Sequence, residues 1–453
     1  MTNRVRKAFL AAGLSAALLT GASATPAIAS APTQPVPGNF FRLLPLSAPP
    51  RVTLQQLADL ASSMLDPNAP EGDNPGIPSG FTYTGQFLDH DLTLDASPVP
   101  TDTEDPTQVP NGRTFAFDLD SVYGGGPVGS PQFYDARGRF LLVTNAFGVL
   151  DVPRTVAGTA IINEARNDEN RIINQIQLAF MLAHNRLINA GLSFTDARKT
   201  LVTFYKQAIL ADFLPHIVGP VATPTLVRLV VKTLQAHGTP VEFSVAAYRF
   251  GHSIVRKAYV LNETSGKVQV FTPTGPDLRG GSPLPAKLVI DWSEFFPDLP
   301  NVDTDGNPTN VSRKIDTLIS SGLFSLPIPG AEATGSNVLA FRNLQRGMFY
   351  DLPSGETVAR ALGVPVVPVD AGFGFTPGNT PLWYYILAEA QAQTGGTKLG
   401  AVGSAIVKAG FISALINERL PGRASASAEQ VLLGPDHKAT ISDIFVFAGV
   451  AKR

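Results

Sequence analysis

Not one of the 453 residues is a cysteine. The chain therefore folds without disulfide staples, and thiolate catalysis, iron–sulfur clusters and cysteine-type zinc sites are excluded together. Any metal has to be held by histidine, carboxylate or carbonyl groups, and there are only six histidines to draw on. Stability must come from a buried core, and 44% apolar against 16% charged residues is enough to build one. A net charge of −2 with no basic stripe argues against a nucleic-acid partner.

Residues 1–29 have the layout of a secretory signal peptide: Arg4, Arg6 and Lys7, an apolar run from Ala8 to Leu19, then Ala22-Ser23-Ala24 or Ala27-Ile28-Ala29 as cleavage sites. That run is too short to span a bilayer, which takes about 20 residues. The mature chain is expected to be secreted, without stable membrane insertion, and export without cysteine points to a bacterial product. Residues 30–52 hold Pro32, Pro35, Pro37, Pro45, Pro49 and Pro50 and read as an extended arm. Residues 53–453 read as one domain, since no linker interrupts them.

Apolar spacing predicts helices over 53–65, 82–92, 171–190, 196–212, 223–237, 242–257, 312–321, 354–362, 381–396, 398–419 and 439–449. Strand-like alternation is confined to Lys267–Phe271 and Phe140–Val143. The fold class is mainly α, with long loops and few short strands. Asn301–Ser312 mimics the start of a calcium loop, but Ser312 stands where a bidentate glutamate is needed, so a surface turn is expected.

Within the second of these helices lies the segment richest in chemistry, Gly85-Gln86-Phe87-Leu88-Asp89-His90-Asp91. On a helix Gln86 and His90 share a face, while Asp89 and Asp91 flank the histidine. The segment is otherwise apolar, with Phe81, Tyr83, Phe87 and Leu88, and ionisable groups in such surroundings need a reason. A solvated helix start, with the acids near the positive end of the macrodipole, is the bland alternative. In Arg113–Gly124, oxygen-bearing side chains recur at Thr114, Asp118 and Asp120, with the Ala116 carbonyl between them, an oxygen cup suited to calcium. Three further segments follow in order: Arg166-Asn167-Asp168-Glu169, Arg249-Phe250-Gly251-His252 and Asn343-Leu344-Gln345-Arg346-Gly347.

Taken in sequence order, these segments resemble the animal-type haem peroxidases, the superfamily that also holds the cyclooxygenases and has bacterial members. The resemblance runs over residues 50–365. It implies a mainly helical fold around a haem b, and carries roles across position by position. His90 would be the distal histidine, with Gln86 beside it at the peroxide or halide site, and Arg166 the distal arginine. His252 would ligate the iron, and Asn343 would accept its other ring N–H. Arg249 and Arg346 would face the proximal side or a haem propionate. Asp91, Thr114, Ala116, Asp118 and Asp120 match a calcium (Ca2+) site, and Asp89 and Glu169 match carboxylates that can be ester-linked to haem. The implied activity is reduction of hydrogen peroxide and oxidation of halides, thiocyanate or small aromatic donors. Oligomeric state is left open.

Two rivals remain at this point. A haem-dependent fatty-acid dioxygenase would need a radical tyrosine three residues before the proximal histidine; here that position is Arg249, and Tyr248 is one place off. A non-catalytic haem- or calcium-binding adhesion module would have no use for His90, Arg166 and His252 together. Single residues also have plain alternatives: Arg166 and Glu169 as an i,i+3 ion pair, His252 as a packed core histidine, His184 as a hydrogen-bonded core residue, and His216, His237 and His437 as surface residues.

Overall fold

The computed structural model describes residues 38–44, 49–66, 72–95, 104–272, 276–327, 337–417, 432 and 438–453. Eleven helices carry the argument. They are α1 (Leu54–Ser63), α2 (Ser79–Leu92), α3 (Arg171–Asn189), α4 (Phe194–Ala208), α5 (Thr223–Ala236), α6 (Val241–Val245), α7 (Leu339–Phe349), α8 (Gly355–Leu362), α9 (Leu382–Thr394), α10 (Ala401–Ile416) and α11 (Ile441–Ala448). Among the described residues the sheets are only two-stranded. The mainly α expectation holds. No described helix is long and apolar enough to cross a membrane.

The helix starts follow from local chemistry. Thr53 closes a capping box with Gln56 at α1, Ser193 caps α4, and the Asn170 side chain accepts from both Ile172 N–H and Ile173 N–H at α3. Each satisfies backbone donors that a helix end otherwise leaves orphaned. α3 is buried on nearly every side and forms the centre of the molecule. α2 lies against it, with Phe87 stacked on Phe180 at 4.6 Å between ring centroids. At the far end of α3, Arg186 Nη1 donates to the Phe447 carbonyl at 2.7 Å, and Trp292 packs on Phe445 at 4.2 Å, which docks α11. The arm is tied down where it is described: Phe40–Phe41 pairs in parallel with Thr239–Pro240, and the Glu242 carboxylate accepts from Leu43 N–H and Leu44 N–H.

Three expectations from periodicity need correction. The single helix expected over 242–257 is α6 followed by a 3₁₀ stretch, Ala247–His252, because Ala246 leaves the helical region at φ −128°, ψ −67°. The helix expected over 312–321 is absent: Val311–Arg313 is a strand paired with Asp73–Pro78, its Arg313 buried against Asp66 at 2.8 Å. Tertiary pairing overrides a weak local preference here. Conversely, α7 was not expected. Its buried face (Ala340, Asn343, Leu344 and Phe349) follows helical spacing, but Val338 gives it no side-chain cap to mark its start.

The turn at 303–307 is exposed and closed by Asp303, as expected for a surface turn. His184 is buried between the Tyr123 hydroxyl and the Gly138 carbonyl, a structural role. His237 is exposed and His216 only partly so; His437 and residues 1–29 lie outside the described residues.

Candidate active site

Helix α2 delivers Gln86, Asp89 and His90 to one region, and the 3₁₀ turn Ala165–Asp168 delivers Arg166 and Asn167 to the same place. His90 is buried, and its Nδ1 lies 2.8 Å from Asn167 Oδ1. The polarity of that contact can be derived. Asn167 Nδ2 donates to Gln177 Oε1 at 2.8 Å, so Asn167 offers the ring an oxygen, and His90 must carry its proton on Nδ1. Its Nε2 then keeps a lone pair. Burial first, and the nearby Arg166 charge second, push the His90 pKa down to about 3. The imidazole is a neutral base of defined tautomer.

Arg166 is held from behind. Its Nε donates to Glu164 Oε1 at 3.0 Å, and its Nη2 to Glu164 Oε2 at 2.9 Å and to the Thr93 carbonyl at 2.6 Å. Burial opposes its charge, but the hydrogen bonds and charge of Glu164 win and raise its pKa. Glu164 is correspondingly held down at about 2 against its own burial. No Arg166–Glu169 ion pair is seen among the described residues, which removes the plain alternative for that pair.

Glu169 instead accepts from Gln86 Nε2. Burial, opposed by Arg166 and reinforced by Glu164 and Asp89, lifts its pKa to about 7. Its surface is open to solvent even so. Glu169 is thus surrounded by charged neighbours on one side and faces solvent on the other. Asp89 is also raised, by burial first, while Arg166 and Arg249 pull the other way. It therefore senses arginines from both the 165–168 turn and the 247–252 turn. Both turns meet α2: the Tyr248 hydroxyl donates to the Gly85 carbonyl at 3.0 Å, and Arg166 Nη2 to the His90 carbonyl at 3.4 Å.

On the second side, His252 ends the 3₁₀ stretch and contacts Asn343 of α7, Nδ1 to Nδ2 at 2.8 Å. Arg249 Nη1 donates to Asn343 Oδ1 at 2.9 Å, and its Nε to the Ser244 carbonyl at 2.9 Å. The expected contact is present, but its polarity differs from expectation. Because Arg249 holds the amide oxygen, Asn343 faces the ring with its nitrogen. Accepting a ring N–H requires Asn343 Oδ1, which has two lone pairs, to serve Arg249 and His252 together. Burial, then Arg249 and Arg342, push His252 down to about 3, so this ring is neutral as well. Arg346 pairs with Asp95, whose carboxylate also accepts from the Tyr350 hydroxyl at 3.0 Å. Its expected place on the proximal side stands only through its charge on Arg249.

The donor set fits a haem. Both imidazoles are neutral and each has its Nδ1 engaged by an asparagine amide; His90 has its Nε2 lone pair free as placed, whereas His252 frees its own for a metal only when Asn343 turns its oxygen to the ring, because an Nδ1 that accepts from Nδ2 leaves the proton on Nε2. Gly251, beside His252, has open space where a Cβ would sit.

A third cluster lies directly behind His90. Oxygens of Asp91, Asp118 and Asp120 come within 4.8 Å of one another. Thr114 Oγ1 donates to Asp118 at 3.0 Å and to Asp120 at 3.2 Å, and the Ala116 carbonyl accepts from Asp118 N–H at 3.0 Å. Asp120 Oδ1 is buried without a hydrogen bond; Arg113 Nη1 stands 3.7 Å away. Two buried carboxylates and a half-buried one, with one oxygen unsatisfied, suit a hard cation. All three have raised pKa values, by burial first, with Asp118 adding to both Asp91 and Asp120.

Sequence reading missed Glu164, Asn167, Asn170, Gln177 and Arg342. Asn167 and Asn170 stood in and beside the quoted Arg166–Glu169 run, so a signal existed. Gln177 and Arg342 lie on helices with no local mark.

Residues 93–279 match the family model for Animal haem peroxidase. The chain is 25% identical over 322 residues to a Chorion peroxidase of Drosophila melanogaster, covering 62% of this chain and 38% of that one. It is 27% identical over 222 residues to a Peroxidase-like protein of Margaritifera margaritifera, covering 42% and 26%. It thus spans well under half the length of either relative. Among solved structures, Peroxidase A from Dictyostelium discoideum superposes with TM-score 0.68 at 15% identity, over 92% of this chain and 94% of the other. The Oryza sativa fatty acid alpha-dioxygenase gives 0.58 at 13%, over 90% and 80%. At these identities the structural likenesses speak for the fold.

Proposed function

We propose that this chain, which carries an animal-type haem peroxidase domain, reduces hydrogen peroxide and oxidises halides, thiocyanate or small aromatic donors. The observation that carries the reading is His90: buried, neutral, with its proton fixed on Nδ1 by Asn167 and its Nε2 uncommitted beside Arg166. His252 would hold the haem. When bound, that group supplies the electrons that cleave the O–O bond. His90 takes the peroxide proton on Nε2 and returns it to the departing oxygen. Asn167 and Gln177 keep the ring in the tautomer that permits this. Arg166 holds fixed positive charge where negative charge gathers. Glu164 prevents that guanidinium from swinging away.

Asp91, Thr114, Ala116, Asp118 and Asp120 would bind Ca2+ and stiffen the distal end of α2. Asp89 and Glu169 would form ester links to the haem, which makes it resistant to extraction by acid butanone. The apolar run after Arg4, Arg6 and Lys7 supports export of the chain. The dioxygenase reading is weaker because Tyr248 is engaged with the Gly85 carbonyl. The test is direct: haem-loaded protein should oxidise guaiacol or iodide on adding peroxide, and His90→Ala should keep haem while losing turnover. Oxygen uptake with linoleate, and no peroxide turnover, contradicts the proposal.

A further inference from the structure

Next to the 247–252 turn lies a cavity of about 270 Å³ that the proposed reaction does not use. None of Asp89, His90, Arg166, Arg249 and His252 lines it. It is enclosed by α1, α7, α9 and the arm. Leu57, Leu344, Phe349, Leu382 and Trp383 give it a buried floor, and Pro49, Pro50 and Val52 a half-buried side nearer to solvent. The polar groups of the lining are few and committed. Trp383 Nε1 donates to the Arg249 carbonyl at 3.1 Å, so the indole offers the cavity ring surface rather than a donor. Asn343 gives its oxygen to Arg249 Nη1 at 2.9 Å, and its nitrogen lies 2.8 Å from His252 Nδ1. Asp351 is the one charged side chain of the lining among the described residues, and a carboxylate there disfavours an anion.

We propose that this cavity is a binding site for a small uncharged aromatic molecule, a resident ligand rather than an electron donor, and that its occupant steadies the support of His252. Walls of this kind give water few hydrogen-bond partners, whereas an apolar cavity of roughly 150 Å³ already takes up benzene. Unfilled, the lining forgoes dispersion contacts that an aromatic ring restores. The second part follows from what the walls hold. Asn343 on α7 and Trp383 on α9 both line the cavity, and both brace the turn that carries His252. An occupant in contact with both removes the empty space into which either could shift. The binding site stands without the peroxidase reading; only its effect on haem rests on that reading.

The probe is fluorobenzene, followed by fluorine NMR with the haem-loaded full chain, and haem release is measured by transfer to excess apomyoglobin. Saturable binding with a Kd at or below about 1 mM is expected, and benzoate, its charged counterpart, should not compete. Gly347→Leu adds bulk from α7, where a Cβ would meet only Leu352 at 3.8 Å, and exchanges glycine for a better helix former. It should weaken binding about tenfold or more by filling the space. Val52→Trp, which fills it from the arm, should do the same. With the probe at about five times its Kd, haem release should slow about sixfold, by one plus the ratio of ligand to Kd, and Gly347→Leu should lose that response. No saturable binding by the wild type, or binding that survives both substitutions, overturns the site. Haem release unchanged at saturation overturns its link to His252. Failure of the peroxidase reading would show separately, as absence of guaiacol turnover by haem-loaded protein that still binds fluorobenzene.

Discussion

Asn167 illustrates how much of the chemistry rests on residues that never touch substrate. Its oxygen fixes the His90 tautomer, and second partners of this kind typically matter 10- to 100-fold. Asn167→Leu should therefore slow the reaction with peroxide by roughly that factor while haem binding persists, as stopped-flow absorbance would show. The depressed His90 pKa gives a second expectation. A group lowered from 6.5 to about 3 stays unprotonated across the acid range. The acid limb of the peroxide rate should then lie well below pH 5; a limb near 6.5 would mean that the ring is solvated. At this scale the sequence was informative about the actors and silent about their supports. Gln86, His90, Arg166 and His252 announced themselves by type and spacing. Glu164, Gln177 and Arg342 did not: Glu164 lies only two residues from Arg166, but its type does not mark it as a brace, and Gln177 and Arg342 sit on helices with no local mark.

Two loops hold the distal helix and the Arg166 turn in register. Gly280 packs so closely on the Arg166–Glu169 run that a Cβ there would lie 1.7 Å from the Asp168 carbonyl oxygen. Gly280→Ala should displace Glu169 and lower the melting temperature by several degrees, with peroxide turnover reduced in the protein that remains folded. The Asp91, Asp118 and Asp120 cluster should behave as a calcium clamp. Chelation should lower the melting temperature, added calcium should restore it, and Asp118→Asn with Asp120→Asn should abolish the response. α3, with apolar residues at helical spacing, and α10, a long run apolar on nearly every side, were readable in the sequence. The 242–257 stretch and α7 were not, since Ala246 breaks one and the other has helical spacing but no capping side chain to announce its start.

Across the whole molecule, buried carboxylates should give stability a distinctive pH dependence. Glu389 caps α10 through Val402 N–H and Gly403 N–H, yet burial lifts its pKa to about 7 from its ordinary 4.5. The folded state therefore holds this proton more tightly than the unfolded chain does. Its contribution is fully present below about pH 4.5 and is lost as pH rises through about 7. Glu389→Gln should flatten that part of the melting-temperature profile. The central claim concerns the two histidines, His90 and His252, and haem uptake by single variants tests it most directly. His252→Ala should lose haem affinity and the ferric absorption band, whereas His90→Ala should retain both and lose only the reaction with peroxide. Equal haem affinity and an unchanged spectrum in His252→Ala would contradict the account.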